Sequence, residues 1–542
     1  METYYYKNGK RHEGLTMASI VFWLKADGTY DAFQKTRLKS NIEKYMYMED
    51  KSTDVTIANV FYELHTDEFV CAGLDDKKKR WYQFKNHRWN ECADVALHKR
   101  IDNTLTQVYR DKAAHHLQLA RSSDDDADKS KHTKLADGFK SIAKKLGSKS
   151  NKNHIVAQLE VCFYKEKDEF YDLLDENPDL LGFTNGVYDF TISDFRDGRP
   201  GDMLTMSVGY EIPVLDMDIR AEIMAFYESL FDCKEVMQYK LTTNAYQLCG
   251  SKYLEIFWIL TGRGRNGKSK EADLLCTTFG QYAYTPDITL FTTKKNDSSK
   301  ANPELAAARG KRLMVSVEPD AKDKLISSNI KAWTGNDKIQ ARDLYVKNIE
   351  FYLQAGISIL CNTIPKFTTF KEAEAARTKV INYPFSFVLD PKKPYEKQID
   401  LHLESKVRDV RWAQQNMLIL LEIYNERVRG RQAIPTPDKV NIVTNNFHSE
   451  CDVVGQFIEQ QLELVDDTKA RIAKKDMYDE FMSYLTVEGK HSDQMPSKEF
   501  HTAMAAKGLE PRKNKGYLYY TGVRVQKCVD IASENEDTDD EL

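Results

Sequence analysis

The sequence predicts an α/β fold, and three observations carry that prediction. An apolar run rich in aromatic and β-branched residues, "YLEIFWIL" (253–260), leads straight into the glycine-rich turn "TGRGRNGKSK" (261–270). The turn leads into "KEADLLCTTFG" (270–280), which has helical spacing and a glycine stop. Two more apolar runs, Leu313 to Val317 and "GISILCN" (356–362), end on the polar residues Glu318 and Asn362. Short buried strands interrupted by helical stretches are the pattern of an α/β core.

The turn reads G-x-x-x-x-G-K-S, with Gly262, Gly267, Lys268 and Ser269 at the fixed places and Gly264 and Asn266 between them. Strand, glycine-rich turn and helix are the context in which this pattern holds nucleotide phosphates. Glycines let the backbone wrap the phosphates without Cβ clashes. The helix N-terminus adds free N–H groups and a partial positive charge. Lys268 is expected to reach the β- and γ-phosphates and Ser269 to ligate Mg²⁺.

A P-loop site also needs a carboxylate on a nearby strand. Glu318, at the end of the run in "KRLMVSVEPD" (311–320), is placed to polarise the attacking water and to hold the metal with Ser269. Asp320 lies beyond a proline and is poorly placed for a second metal contact. Asn362, ending "GISILCN", is placed to bond the γ-phosphate or the water. Between them, "KIQARDLY" and "IEFYLQ" read as two strands joined near Val346, Lys347 and Asn348, a hairpin with a lysine close to its tip.

Composition limits the alternatives. A chain of 542 residues has room for about three or four domains. No apolar run approaches the ~18 residues of a membrane span, and "METYYYKNGKRHEG" has no signal-peptide core. Nine cysteines without a C-x-x-C pair argue against a zinc ribbon or a disulfide framework and fit a reducing compartment. Net charge is −5, so any basic surface must be local. The tail "SENEDTDDEL" (533–542) reads as a disordered acidic end, and the polar segment 112–134 as an exposed loop or hinge.

The order of "GRGRNGKS", "GKRLMVSVEPD", "KAWTGNDKIQARDLY" and "SILCNTIP" resembles superfamily 3 helicases. More narrowly, it is similar to the helicase half of the primase-helicases of poxviruses, other large DNA viruses, phages and satellite phages. "RWYQFKNHRW" (80–89), "LLGFTNGVYDF" (180–190) and "FRDGRPGD" (195–202) look like the domain before the motor there. "NNFHSECDVVGQFIEQQLEL" (445–464), "MYDEFMSYL" and "SKEFHTAMAAKGL" look like its C-terminal winged-helix region. The resemblance spans roughly 55–527.

The resemblance implies an AAA+-like P-loop ATPase core with a mixed α-helical N-terminal domain and a C-terminal winged-helix domain. It implies boundaries at 1–54 (extension), 55–225 (helicase-associated domain), 226–390 (motor), 391–445 (helical lid or linker), 446–527 (winged helix) and 528–542 (tail). It also implies a ring, usually a hexamer of this chain, that moves along single-stranded DNA at a fork using ATP and Mg²⁺. The setting implied is the cytoplasm or a viral replication site, with no membrane. Lys268, Ser269, Glu318 and Asn362 match the nucleotide motifs, and Lys331, Asp337 and Arg342 the string between them. Lys347, with Tyr345 and Arg342, matches the DNA-gripping hairpin. Family members supply an arginine across the subunit interface near a basic pair upstream of a "PF" dipeptide. In "EAARTKVINYPFSF" (374–387) that pair is broken, and Arg377 is favoured over Lys379 because guanidinium suits transition-state charge better.

Four readings complete the analysis. "PSKEFHTAMAAKGL" is expected to be a helix capped by Ser497 with an apolar face at Phe500, Met504 and Leu509, followed by a basic hairpin with Arg512, Lys513 and Lys515. Trp81, Tyr82, Phe84 and Trp89 are read as core rather than as a base-stacking platform. Asp216 and Asp218 form an Asp-x-Asp string of the type a primase uses, directly before the motor and without a catalytic domain around it, so a primase or polymerase would be a separate partner chain. No base-reading N-K-x-D string of a GTPase and no kinase lid is found. The remaining alternative to a helicase is a nucleotide-dependent oligomeric DNA scaffold or clamp with little unwinding activity.

Overall fold

The computed structural model describes residues 6–7, 10–11, 30–75, 78–292, 303–317, 324–335, 337–341, 349–368, 370–467, 469–514 and 516–526. Near the N-terminus, helices pack on a four-stranded sheet ordered Arg88–Cys92, Lys78–Lys85, Phe69–Asp75, Tyr164–Lys165. Thr53 starts the helix Asp54–His65 by accepting the Thr56 N–H. That helix buries Ile57, Val60 and Phe61 against Met46, Phe69 and Trp81. Tyr82 and Trp89 pack on the sheet's other side with Phe170, and Phe84 is partly buried there. The aromatic cluster is therefore core, as its alternation suggests.

The expected loop at 112–134 is instead most of a helical hairpin, Thr106–Ser122 and Asp126–Leu146, with only Ser123–Asp125 between. Tyr109, Ala113 and His116 of one helix, and Ala136, Phe139, Ile142, Ala143 and Leu146 of the other, are buried. One narrow apolar stripe per helix is enough, so average polarity misleads here. The Asp125 side chain caps the second helix by accepting the Ala127 N–H at 3.1 Å.

The central region is built on five parallel strands: β1 (Phe257–Gly262), β2 (Ala283–Tyr284), β3 (Leu313–Val317), β4 (Gly356–Leu360) and β5 (Thr378–Tyr383). Their order is β2-β3-β4-β1-β5. Burial on both faces explains the unbroken apolar runs. Trp258, Leu260, Val315 and Ile381 face α1 (Met217–Leu230), α2 (Lys234–Tyr246), α3 (Lys268–Phe279) and α4 (Val410–Ile423). Phe257, Ile259, Met314, Ile357 and Val380 face Phe291, Trp333 and a hairpin. That hairpin, Lys338–Ala341 with Ile349–Tyr352, pairs antiparallel as expected. Arg342, Tyr345 and Lys347, in its connection, lie outside the described residues, as do Glu318, Asp320 and Lys515.

Three side chains of this central region hold the backbone of residues 171–180. Arg309 Nη2 donates to the carbonyls of Tyr171, Asp172 and Leu174, each at 2.9 Å. Arg312 Nη2 donates to those of Asn177 and Leu180 at 3.1 Å. Gln354 Nε2 donates to those of Asp175 and Glu176 at 3.0 and 3.1 Å.

At the C-terminus the order is helix Val453–Gln461, strand Arg471–Ala473, helices Lys474–Val487 and Ser497–Ala506, then the hairpin Arg512–Asn514 with Tyr517–Thr521. Phe457, Phe481, Phe500, Met504 and Tyr520 form its core, with Leu509 packed against it. Ser497 is not the cap: Pro496 takes that place and Ser497 is the first helical residue, without a side-chain capping bond.

Candidate functional site

The glycine-rich turn closes where β1 ends. Gly262 has φ +141, and a Cβ there would lie 2.4 Å from the Tyr383 carbonyl oxygen. Gly267 has φ +85, and a Cβ there would lie 2.4 Å from Leu230 Cδ2. Arg265 is left-handed too, at φ 58. A residue of this kind persists only when its surroundings hold it, and a strap after β5 does so. Phe387 N–H donates to Arg265 O at 2.8 Å, and Ser386 Oγ donates to Gly264 O at 3.1 Å. The Arg263 guanidinium stacks 4.2 Å over the Tyr395 ring. At Gly264 a Cβ would meet nothing within 4 Å.

Gly264, Asn266, Gly267, Lys268 and Ser269 line a cavity of about 270 Å³ with Val317, Leu360, Cys361 and Asn362. The carboxyl ends of β1, β3 and β4 thus meet at one place. Lys268 is buried, and its Nζ donates to Gly262 O at 3.3 Å and to Asn362 Oδ1 at 3.2 Å. Asn266 is 4% exposed; its Oδ1 accepts the Lys268 N–H at 3.4 Å, while its buried Nδ2 donor has no partner among the described residues. Ser269 is exposed at the mouth. No carboxylate lines the cavity among the described residues; Val317 at its edge directly precedes Glu318 in the chain. Burial pushes the Cys361 thiol up to about 11, so it stays neutral beside Lys268. Lys268, the Asn266 donor and the α3 N-terminus give the cavity the sign that suits an anion.

A buried polar cluster lies one turn below Lys268, and sequence reading did not find it. Glu271 of α3 accepts from Asn244 Nδ2 at 2.9 Å, pairs with Lys240 Nζ at 3.1 Å and accepts from the Tyr383 hydroxyl. Lys240 Nζ also donates to Asn244 Oδ1 at 2.5 Å. Burial, then the adjacent Glu271 charge, raises the Tyr383 hydroxyl well above its ordinary value, so it stays a donor. This ties α2, α3 and the end of β5 together beneath the turn.

Arg377 does not join the cavity. It ends the short helix Glu372–Arg377 just before β5. Thr378 pairs with Phe257 at the start of β1, whereas Tyr383 pairs with Gly262 at the turn. Arg377 therefore sits one strand length away, roughly 20 Å. Its guanidinium pairs with Glu255, and its Nε has no partner. Lys331 pairs with Glu374 on the same helix at 2.6 Å, fastening that helix to Ser327–Thr334. Asp337 is exposed. Asp216 caps α1, accepting from the N–H groups of Asp218 and Ile219. Among the described residues, no group of three or more His, Cys, Asp or Glu side chains is arranged to hold a metal, and no helix is long and apolar enough to cross a membrane.

The family profile described as "D5 N terminal like" matches residues 58–239. A protein of Acanthamoeba polyphaga mimivirus named "Putative helicase" is 31% identical over 476 residues, covering 85% of this chain and 48% of its own. One of the same name from Invertebrate iridescent virus 3 is 25% identical over 490 residues, covering 82% and 51%. A "Putative primase" of African swine fever virus is 24% identical over 441 residues, covering 73% and 43%. The chain spans about half the length of the first two of these relatives. By profile and by these relatives, the chain belongs to the D5-type primase-helicase family of large DNA viruses.

Proposed function

We propose that this chain is an ATP-driven DNA helicase that works as a closed ring of copies, threaded on one strand of a fork. One observation carries the reading: Lys268 and Asn362, from motifs 94 residues apart, meet in one cavity. The fit to a nucleotide rests on the unpartnered Asn266 Nδ2 and on a turn drawn so tight at Gly262 and Gly267 that a Cβ there would strike Tyr383 O or Leu230. The strand order, with β4 between β1 and β3, supports an AAA+-like core. The helix and strand order at 453–521 supports a winged helix whose hairpin, with Arg512 and Lys513 exposed, meets duplex DNA.

ATP with Mg²⁺ supplies an electrophilic γ-phosphorus and a charged leaving group. Lys268 leaves Gly262 O and Asn362 to neutralise phosphate charge, and the freed Asn362 amide orients water. Ser269 and Glu318 would hold the Mg²⁺, and Glu318 would accept the proton of the attacking water. Arg377, too far from its own cavity, serves the neighbour's once Glu255 releases it. Arg342, Tyr345 and Lys347 contact DNA in the pore. A specific observation favours the second reading: while Arg377 stays paired with Glu255, copies would bind nucleotide and DNA as a scaffold with little turnover.

The test measures ATP hydrolysis with and without single-stranded DNA, and strand separation on a fork. Wild type is expected to be stimulated by DNA and to unwind. Lys268→Ala is expected to lose about 10²–10³-fold in turnover. Hydrolysis indifferent to DNA, with no unwinding, sinks the helicase reading in favour of the scaffold.

A further inference from the structure

The helical hairpin that replaces the expected loop carries a charge pattern its own stability does not require. Residues 129–152 hold eight lysines against one acid, Asp137, in a chain whose net charge is −5. Four of the eight are compensated: Lys129 by Asp126, Lys140 by Asp137, Lys145 by Asp54 and Lys152 by Asp102, all within 3.3 Å. The other four, Lys131, Lys134, Lys144 and Lys149, are exposed and have no carboxylate within 4.0 Å among the described residues. The buried stripe of their helix is Ala136, Phe139, Ile142, Ala143 and Leu146, so Lys131, Lys134 and Lys144 face outward. Like charges three or four apart, as at Lys131/Lys134 and Lys140/Lys144, weaken a helix by a few tenths of a kcal/mol per pair. A solvated face with no other role would be served better by mixed signs. The exposed residues between these lysines are small and hydroxylated, Ser130, Thr133, Ser141 and Ser148, which permits close approach. Lys131 to Lys144 spans ~20 Å of rigid helix, about six base-pair steps.

We infer that this outward face, Lys131, Lys134, Lys144 and Lys149, is a docking surface for the phosphate backbone of DNA outside the motor cavity and the hairpin. From the proposed function it takes only that the chain works on DNA. Uncompensated point charges on a stiff helix, Lys131, Lys134 and Lys144, and at the start of the next, Lys149, suit a polyanion such as a phosphate backbone, and lysine reads no bases.

The test uses the full chain and fluorescence anisotropy with a labelled duplex and, in a parallel arm, a single strand, each across a salt series. The variant replaces all four lysines by glutamine; a second replaces them by arginine. The glutamine variant is expected to bind at least tenfold more weakly to the preferred form. The slope of log affinity against log salt is expected to fall by about 3–4 for a duplex, or somewhat less for a single strand. The arginine variant is expected to keep the wild-type slope. Melting temperature and DNA-free ATP hydrolysis are expected to be unchanged in both, which separates this inference from a failed motor. A wild-type slope in the glutamine variant on both DNA forms overturns the inference, as does wild-type chain that binds neither form.

Discussion

At the residue scale, backbone conformation separates two glycines of the same turn, Gly264 and Gly267. Gly267→Ala puts a Cβ into a left-handed residue and onto Leu230. Left-handed backbone costs about 1–2 kcal/mol and the clash adds to it, so nucleotide affinity is expected to fall tenfold or more. Gly264→Ala meets open space and is expected to change affinity by less than about threefold. Titration with a fluorescent ATP analogue checks both, and equal losses would show that the turn is not shaped by these contacts. Glu68 gives the pH prediction. Burial pulls its pKa up, but hydrogen bonds from His65, Gln83 and Arg100 outweigh that and hold it at about 2, against an ordinary 4.5. Its contribution is complete above pH 4.5, is lost as pH falls towards 2, and amounts to ~2–3 kcal/mol. Hydrogen exchange of the Asp54–His65 helix is expected to accelerate over that window in wild type. Glu68→Gln should exchange fast already at pH 7, with little further change on acidification.

At the element scale, the strand, turn and helix around Lys268 were legible because their signals are local: apolar run, glycines, helical spacing. The strap at Ser386–Phe387 and the partners of Glu271 were not, since they reach the turn from about 120 residues later and from α2. The 106–146 hairpin was missed for the opposite reason, its local signal being too dilute in charge. Its cap is testable: Asp125→Ala is expected to cost about 1 kcal/mol, seen as faster exchange at the start of Asp126–Leu146. The Glu271 cluster makes a stronger prediction. Breaking a buried pair strands a charge at a cost of about 3–5 kcal/mol, whereas removing both charges is often neutral. Glu271→Leu alone is therefore expected to lower the urea midpoint sharply, and Lys240→Met with Glu271→Leu to recover most of it. If the double variant is as weak as the single, the Lys240–Glu271 pair is not what binds α2 to α3.

At the scale of the whole molecule, the sheet separates two chemistries. The glycine-rich turn sits at the carboxyl end of β1, while Arg377 and the side chains that grip residues 171–180 sit at the amino ends of the strands. A chain alone cannot bring Arg377 to its own Lys268 without breaking β5 from β1. The motif order points to an arginine near 377 that serves a neighbouring copy, and the strand register keeps Arg377 a strand length from the Lys268 of its own chain. In a head-to-tail ring each cavity is completed by the next copy, which permits complementation between dead subunits. Lys268→Ala and Arg377→Ala are each expected to be inactive alone. In an equal mixture, half the cavities keep Lys268, and half of those face an intact Arg377. Hydrolysis should therefore return to about one quarter of the wild-type rate per subunit if sites act independently. An arginine acting within its own chain, or a chain that never assembles, gives no recovery at any ratio. Single-ratio data would not separate weak assembly from weak catalysis, so the titration should trace the product of the two subunit fractions, with its maximum at equal parts.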